Sequence, residues 1–162
     1  MVGNEGMAGL PVFLGVNVAR TRALVQGSGS AMRMSSMAVR HEMDQTSPMH
    51  RLLLRYSHSL LTQVAQASAC NRFHSLGAQL ARWLLMTSDR LGTSQFRLTQ
   101  EFMSNMLGVR REGVNKAAGA LQIANLIRYS RGTITILDRR QLEANSCACY
   151  QIIKAESNEY LN

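Results

Sequence analysis

Arg111, Glu112, Asn115 and Lys116 fall within two helical turns of one another in the stretch RLTQEFMSNMLGVRREGVNKAAGALQIANLIRYSRGTITIL, residues 97–137. Those side chains suit the edges of base pairs. Arginine can bond guanine O6 and N7 with two donors, glutamate can accept from cytosine N4, and lysine reaches guanine or phosphate. A solvated helix face carries the same residue types, so the four alone leave both readings open. Their setting decides between them. A first helix is expected from about Thr99 to Leu107, with Thr99 as N-cap, Glu101 in the first turn and Phe102, Met103, Met106 and Leu107 as one apolar stripe. Gly108 supplies a tight turn, and a second helix is expected from Arg110 or Arg111 to about Asn125. Val114, Ala117, Ala118, Leu121 and Ala124 form its inner face and leave Arg111, Glu112, Asn115 and Lys116 pointing outward.

A hairpin follows at once: Leu126–Tyr129, a turn at Ser130-Arg131-Gly132, then Thr133–Leu137 with alternating Ile134 and Ile136. A helix-turn-helix with a two-stranded wing tipped by Arg131 is a winged helix, and the expected ligand is duplex DNA.

The pattern LTQEFMSNMLGVRREGVNKAAGALQIANLI followed by RGTITILD resembles the DNA-binding domain of the Crp/Fnr family of bacterial transcription regulators. The resemblance implies that Arg111, Glu112 and Lys116 contact bases and that Thr99 and Gln100 touch phosphate. It departs at Gly113, where the family usually has a hydroxyl residue; a glycine inside a helix costs roughly 1 kcal/mol against alanine. Arg97, Arg110 and Arg131 are expected to position the phosphates, with Asn115 beside the base-reading set.

The chain of 162 residues carries a net charge of +8, with an isoelectric point near 10.3. That balance favours a polyanionic partner. The excess is uneven: residues 89–140 hold nine Lys/Arg against four acids, while residues 141–162 hold one Lys against three Glu. With 46% hydrophobic residues the chain can bury a core. No run of about 18 apolar residues suggests a membrane span, so no membrane partner is expected, and the expected location is cytoplasmic. The three cysteines, Cys70, Cys147 and Cys149, are too few for a disulfide framework or a four-thiolate metal site. On a helix the side chains of Cys147-Ala-Cys149 would diverge, so free thiols are expected and no metal or cofactor. His50 and His58 stand eight apart without a zinc-binding arrangement around them. No nucleophile–base pair or Walker-type loop suggests an enzyme.

Upstream, Thr46-Ser47-Pro48 starts a long helix running to about Cys70, capped by Ser47. Leu53, Leu60 and Ala67, with His50, Ser57 and Val64, repeat at seven-residue spacing and make a seam for a homodimer through Ser47–Cys70. Leu52, Leu54 and Leu61 widen the stripe. Asn71 is expected to act as hinge and cap, and a helix over Arg72–Met86 to face Phe73, Leu76, Leu80, Ala81, Leu84 and Leu85 inward, with Trp83 in the same core. Ser88–Ser94 reads as a polar loop. After the wing, Asp138 caps a helix through about Leu161, with Leu142, Cys149, Ile152, Ile153 and Tyr160 as its apolar positions. Before the long helix, Ser35–Asp44 reads as a short helix, and extended runs at Leu10–Leu14, Arg22–Gln26 and Ser30–Met34 sit between glycine turns.

That first segment resembles the end of a cyclic-nucleotide-binding β-roll. Arg22-Ala23 matches the close of its phosphate loop, whereas the aligned start reads Met7-Ala8 without an acid. The preceding strands of such a roll are lacking, so nucleotide binding is not expected. The expected fold is mainly α with small β: residues 1–46 a β-roll remnant, 47–71 a dimerisation helix and 72–162 a winged helix-turn-helix domain. The expected function is a homodimeric transcription regulator on near-palindromic duplex DNA, with RNA polymerase as a further partner. An effector-binding sensor and a winged helix used for protein interaction are the alternatives.

Overall fold

The computed structural model describes residues 1–44 and 47–159. The expected positions Thr46, Tyr160 and Leu161 lie outside the described residues. Helix α3, Pro48–Phe73, is the longest element. Ser47 caps it by accepting a hydrogen bond from the His50 N–H at 3.2 Å, and proline at the first helical position forfeits no intrahelical bond. The expected hinge at Asn71 lies inside this helix. The break falls at His74-Ser75, because Ser75 offers the next N-cap: its Oγ accepts from Ala78 N–H at 3.3 Å and starts α4, Leu76–Leu91. A lone asparagine inside a helix costs well under 1 kcal/mol, too little to stop it. Phe73, expected inside, is 79% exposed on the last turn of α3.

Helix α4 is the central strut of the C-terminal half. Leu80, Leu84 and Leu85 are fully buried, and Trp83 sits in the same core with its ring 6.2 Å from that of Phe102. Around α4 fold β1 (Gln95–Arg97), α5 (Gln100–Leu107), α6 (Arg111–Ile123), β2 (Ile127–Ser130) and β3 (Thr133–Ile136). Met103 and Leu107 of α5, Val114 and Leu121 of α6, and Ile127 and Ile134 of the sheet complete the core. The sheet is antiparallel in the order β1-β3-β2. The hairpin β2–β3 pairs Ser130 with Thr133, leaving Arg131-Gly132 as a two-residue turn with φ of 48° and 75°. Two left-handed residues match the twist of the flanking strands, which makes glycine the natural second residue. Strand β1 was not foreseen; only Phe96 of its three residues is buried, too short a run to show alternation, and its partner β3 lies far along the chain.

The helix expected from Asp138 to about Leu161 is two helices, α7 (Arg139–Asn145) and α8 (Cys149–Glu159). Asp138 does cap the first, accepting from Gln141 N–H at 2.9 Å. Ser146 is extended at ψ 168° and returns its hydroxyl to the Glu143 carbonyl at 2.7 Å, which ends α7 and lets α8 turn back along α3. Ile152 is exposed, contrary to its expected role. A polar knot joins α4, α7 and α8: the buried Tyr150 hydroxyl donates to Asp89 at 2.9 Å, and Arg139 reaches Asp89 and Tyr150 at 2.6 Å each and Glu143 at 3.0 Å. Burial, then the bond to Asp89, raises the Tyr150 pKa above its usual value of about 10. Stability from this group is therefore complete below about pH 10 and declines as pH rises toward the folded-state value. Tyr150→Phe should cost about 2 kcal/mol at neutral pH and flatten the alkaline loss of stability; urea titrations at a series of pH values measure both. An unchanged alkaline slope would remove Tyr150 as its source.

The N-terminal segment departs most from expectation. Of the three extended runs, Leu10–Phe13 is one turn of helix (α1), and neither Arg22–Gln26 nor Ser30–Met34 forms a strand. Strands need hydrogen-bonding neighbours, and the described residues supply none here. Val25 accordingly stays 89% exposed. What anchors the segment is side-chain packing. Met7, Leu10 and Phe13 pack on Leu53 and Tyr56 of α3, the Tyr56 hydroxyl donates to the Met7 carbonyl at 3.0 Å, and Glu5 lies 2.9 Å from the Arg90 guanidinium. Helix α2, Ser36–Asp44, forms as expected behind the Ser35 cap.

Candidate nucleic-acid interface

Helix α5 opens at Thr99, whose hydroxyl accepts from Phe102 N–H at 3.1 Å, with Gln100 as its first residue. It buries Met103, Ser104 and Leu107; Met106, expected on the inner stripe, is exposed. Gly108 closes it at φ 65°, in the left-handed region where a side chain would be strained, and its N–H bonds the Ser104 carbonyl. Two residues later the chain enters α6 through Arg110, which holds the N-cap position without a side-chain cap.

Along α6 the division of faces is as the spacing predicts. Val114, Ala117, Ala118 and Leu121 are buried, and Arg111, Glu112, Asn115 and Lys116 are all exposed. Ala124, expected on the inner face, caps the C-terminus in solvent because the helix ends at Ile123. Gly113 sits on the flank toward α4; a Cβ there would meet Leu76 Cδ2 at 3.0 Å, so close packing of the two helices uses the missing side chain.

The wing joins this surface by a backbone contact. Leu98 N–H donates to the Gly132 carbonyl at 2.8 Å, and Arg97 pairs with Thr133. The Arg131-Gly132 tip is thereby held beside the start of α5, where Thr99 and Gln100 stand. The free helix N–H groups there favour an anion, as does the partial positive charge of the helix end.

Two groups of cations stand out in this half. Arg90 and Arg139 are paired to Glu5, Asp89 and Glu143 and serve the fold. Arg97, Arg110, Arg111, Lys116, Arg128 and Arg131 are exposed and form no ion pair with any described residue. Cations left unpaired on one helix face and one hairpin are available to phosphates and bases.

The structure also gathers residues that the sequence left apart. Cys70, Cys147 and Cys149, expected as separate thiols, converge with His74, and one ligand atom from each lies within 4.8 Å of the others. Cys147-Ala-Cys149 is not helical throughout; it straddles the junction between α7 and α8, so its thiols do not diverge. Burial, then the neighbouring Cys70 and Cys149 thiols, pushes the Cys147 thiol up to about 12. The one local signal was the four-residue spacing from Cys70 to His74, which puts both on one face of a helix.

Residues 78–145 match the family model of the Crp-like helix-turn-helix domain, a span that includes all eight DNA-facing candidates from Thr99 to Arg131. Among solved structures, a protein from Eubacterium rectale assigned to the Crp/Fnr family of transcriptional regulators is similar at 27% identity and a TM-score of 0.50. The similarity covers 66% of this chain and 50% of that one, so the chain spans about half the length of that regulator. No curated protein matches the chain. Among the described residues no helix is long and apolar enough to cross a membrane. The outward face of α6, its glycine turn and its wing thus lie within the span that matches the Crp-like helix-turn-helix domain.

Proposed function

We propose that the chain is a sequence-specific DNA-binding transcription regulator that works as a homodimer, with α6 in the major groove. The observation that carries this reading is the unpaired, exposed set Arg111, Glu112, Asn115 and Lys116 on a helix whose opposite face is fully buried. Arg111, Glu112 and Lys116 read base edges, with Asn115 beside them. Thr99, Gln100, Arg110 and Arg131 hold phosphates on either side and fix the register. The working division of the chain is 1–46 before the rod, 47–71 for pairing and 72–162 for DNA. The hinge between the last two moves to His74-Ser75, where α3 ends.

Pairing through α3 is supported by side chains its own subunit leaves uncovered. Leu53 is buried, and His50, Ser57, Leu60 and Ala67 are partly covered, so the expected seam largely faces inward. Val64 of the expected seam is exposed together with Leu54 and Leu61, and the three lie at seven- and three-residue spacing along one side. A seam that keeps Val64 and takes Leu54 and Leu61 in place of Leu53 and Leu60 suits a second copy. Two recognition helices carried this way would enter successive major grooves about 34 Å apart on a near-palindromic site. RNA polymerase at a neighbouring promoter, in the cytoplasm, is the further partner such a regulator would act on.

Selection of bound duplexes from a random pool tests the proposal directly. The expected product is an inverted repeat with half-sites one helical turn apart, bound with a steep loss of affinity as salt rises. Recovery of no enriched motif, with binding to all duplexes alike, would reject sequence-specific regulation.

A further inference from the structure

The cluster at the foot of α3 has the composition and geometry of a metal site. Cys70 and His74 project from the last turn of the helix and its cap, four residues apart. Cys147 and Cys149 come from the α7–α8 junction. Cys70 Sγ lies 3.4 Å from Cys147 Sγ, Cys149 Sγ lies 3.4 Å from His74 Nδ1, and all four ligand atoms fall within 4.8 Å of one another. A tetrahedral zinc ion with bonds of 2.3 Å to sulfur and 2.0–2.1 Å to nitrogen requires ligand–ligand edges of about 3.5–3.8 Å. The two close pairs are disjoint, as opposite edges of a tetrahedron must be.

The surroundings are those of a built site. Cys70 and Cys149 are fully buried, Cys147 nearly so, and Ala78 packs against them, while His74 is exposed and leaves a way in from solvent. Gln66 Nε2 donates to Cys149 Sγ at 3.1 Å and so orients that sulfur. Gln79 Nε2 donates to the carbonyls of both Cys70 and His74, at 3.3 and 2.9 Å, and so sets the backbone from which two of the four ligands extend. Three sulfurs and one imidazole nitrogen are soft-to-borderline donors, which select zinc over magnesium or calcium.

The geometry points to a tetrahedral zinc site formed by Cys70, His74, Cys147 and Cys149, which clamps the end of the pairing helix to the last two helices of the DNA-binding domain. The clamp spans the break at His74-Ser75. Helices α7 and α8 are already locked to α4 through Arg139, Tyr150 and Asp89, so an ion held here ties the direction of α3 to the body that carries α6. Zinc occupancy would then set how two recognition helices are spaced.

The test uses the full chain, reduced, loaded with zinc and dialysed, with metal measured by inductively coupled plasma mass spectrometry. About one zinc per chain is expected, and replacement by cobalt(II) should give the visible bands of a tetrahedral thiolate site. Cys70→Ser and Cys149→Ser should each bring the metal content to background, while His41→Gln, on an exposed helix remote in sequence from the cluster, should leave it unchanged. Zinc should raise the melting temperature of the wild-type chain and leave that of the two serine variants in place. Should a variant fail to fold, the wild-type stoichiometry and cobalt spectrum decide alone. A folded wild-type chain that retains no zinc, a Cys70–Cys147 disulfide in the native protein, or iron and sulfide in place of zinc would each overturn the assignment. None of these readouts involves DNA, so the zinc site and the regulator reading can fail separately.

Discussion

Arg111→Ala should flatten the base preference at one position of each half-site while leaving binding to scrambled duplexes nearly intact. A bidentate contact to guanine discriminates by roughly 1–3 kcal/mol, so the matched duplex should lose on the order of 10- to 100-fold in affinity. Arg131→Ala should behave differently. Arg131 stands at a hairpin tip held beside the N-terminus of α5, and under the proposed reading it contacts phosphate and no base edge. The loss there should be the same on every duplex, and the slope of log affinity against log salt should fall by about one. Alanine in the same turn meets the same left-handed backbone, which isolates the charge from the fold. Fluorescence anisotropy on matched and scrambled duplexes over a salt series separates the two. Equal losses for both variants on both duplexes would defeat the division of labour between helix and wing.

The double variant Leu54→Asp/Leu61→Asp should convert the chain to a folded monomer. These side chains are 53% and 68% exposed, so a carboxylate at either costs the single subunit little. In a paired rod each would instead be buried against its twin, where burying a Leu contributes about 1.5–3 kcal/mol and an unpaired carboxylate is excluded. Losing the second recognition helix should weaken binding to a two-half-site duplex by roughly 10²- to 10⁴-fold, the usual worth of tethering two modules, while a single half-site is bound as before. Leu53→Asp makes the contrast: Leu53 packs with Tyr56, Met7 and Phe13 inside its own subunit, so that variant should lose thermal stability before it loses pairing. Sedimentation velocity and thermal melts on the three proteins give the answer. A wild-type chain that stays monomeric while bound to the near-palindrome would sink pairing through α3.

What could be read from the sequence is what neighbouring residues decide among themselves. The caps at Ser47, Thr99 and Asp138, the left-handed Gly108, the outward and inward faces of α6 and the Arg131-Gly132 turn all depend on partners within about four residues. The helix period and the steric demands of a turn act at that range, so residue type and spacing were enough to set where in these elements each candidate residue stands. Tertiary structure decided the rest. Strand β1 exists because β3 arrives beside it, and the runs at 22–26 and 30–34 are not strands because nothing does. Leu53 and Leu60 of the expected seam are covered while Leu54 and Leu61 are not, because the N-terminal segment and α8 occupy part of α3's surface, which no periodicity along α3 can report. Three cysteines that looked isolated meet His74 because Ser146 ends α7 and turns α8 back on the long helix. A thiol's neighbours depend on where distant segments pack, and that is a property of the folded chain, not of spacing along it.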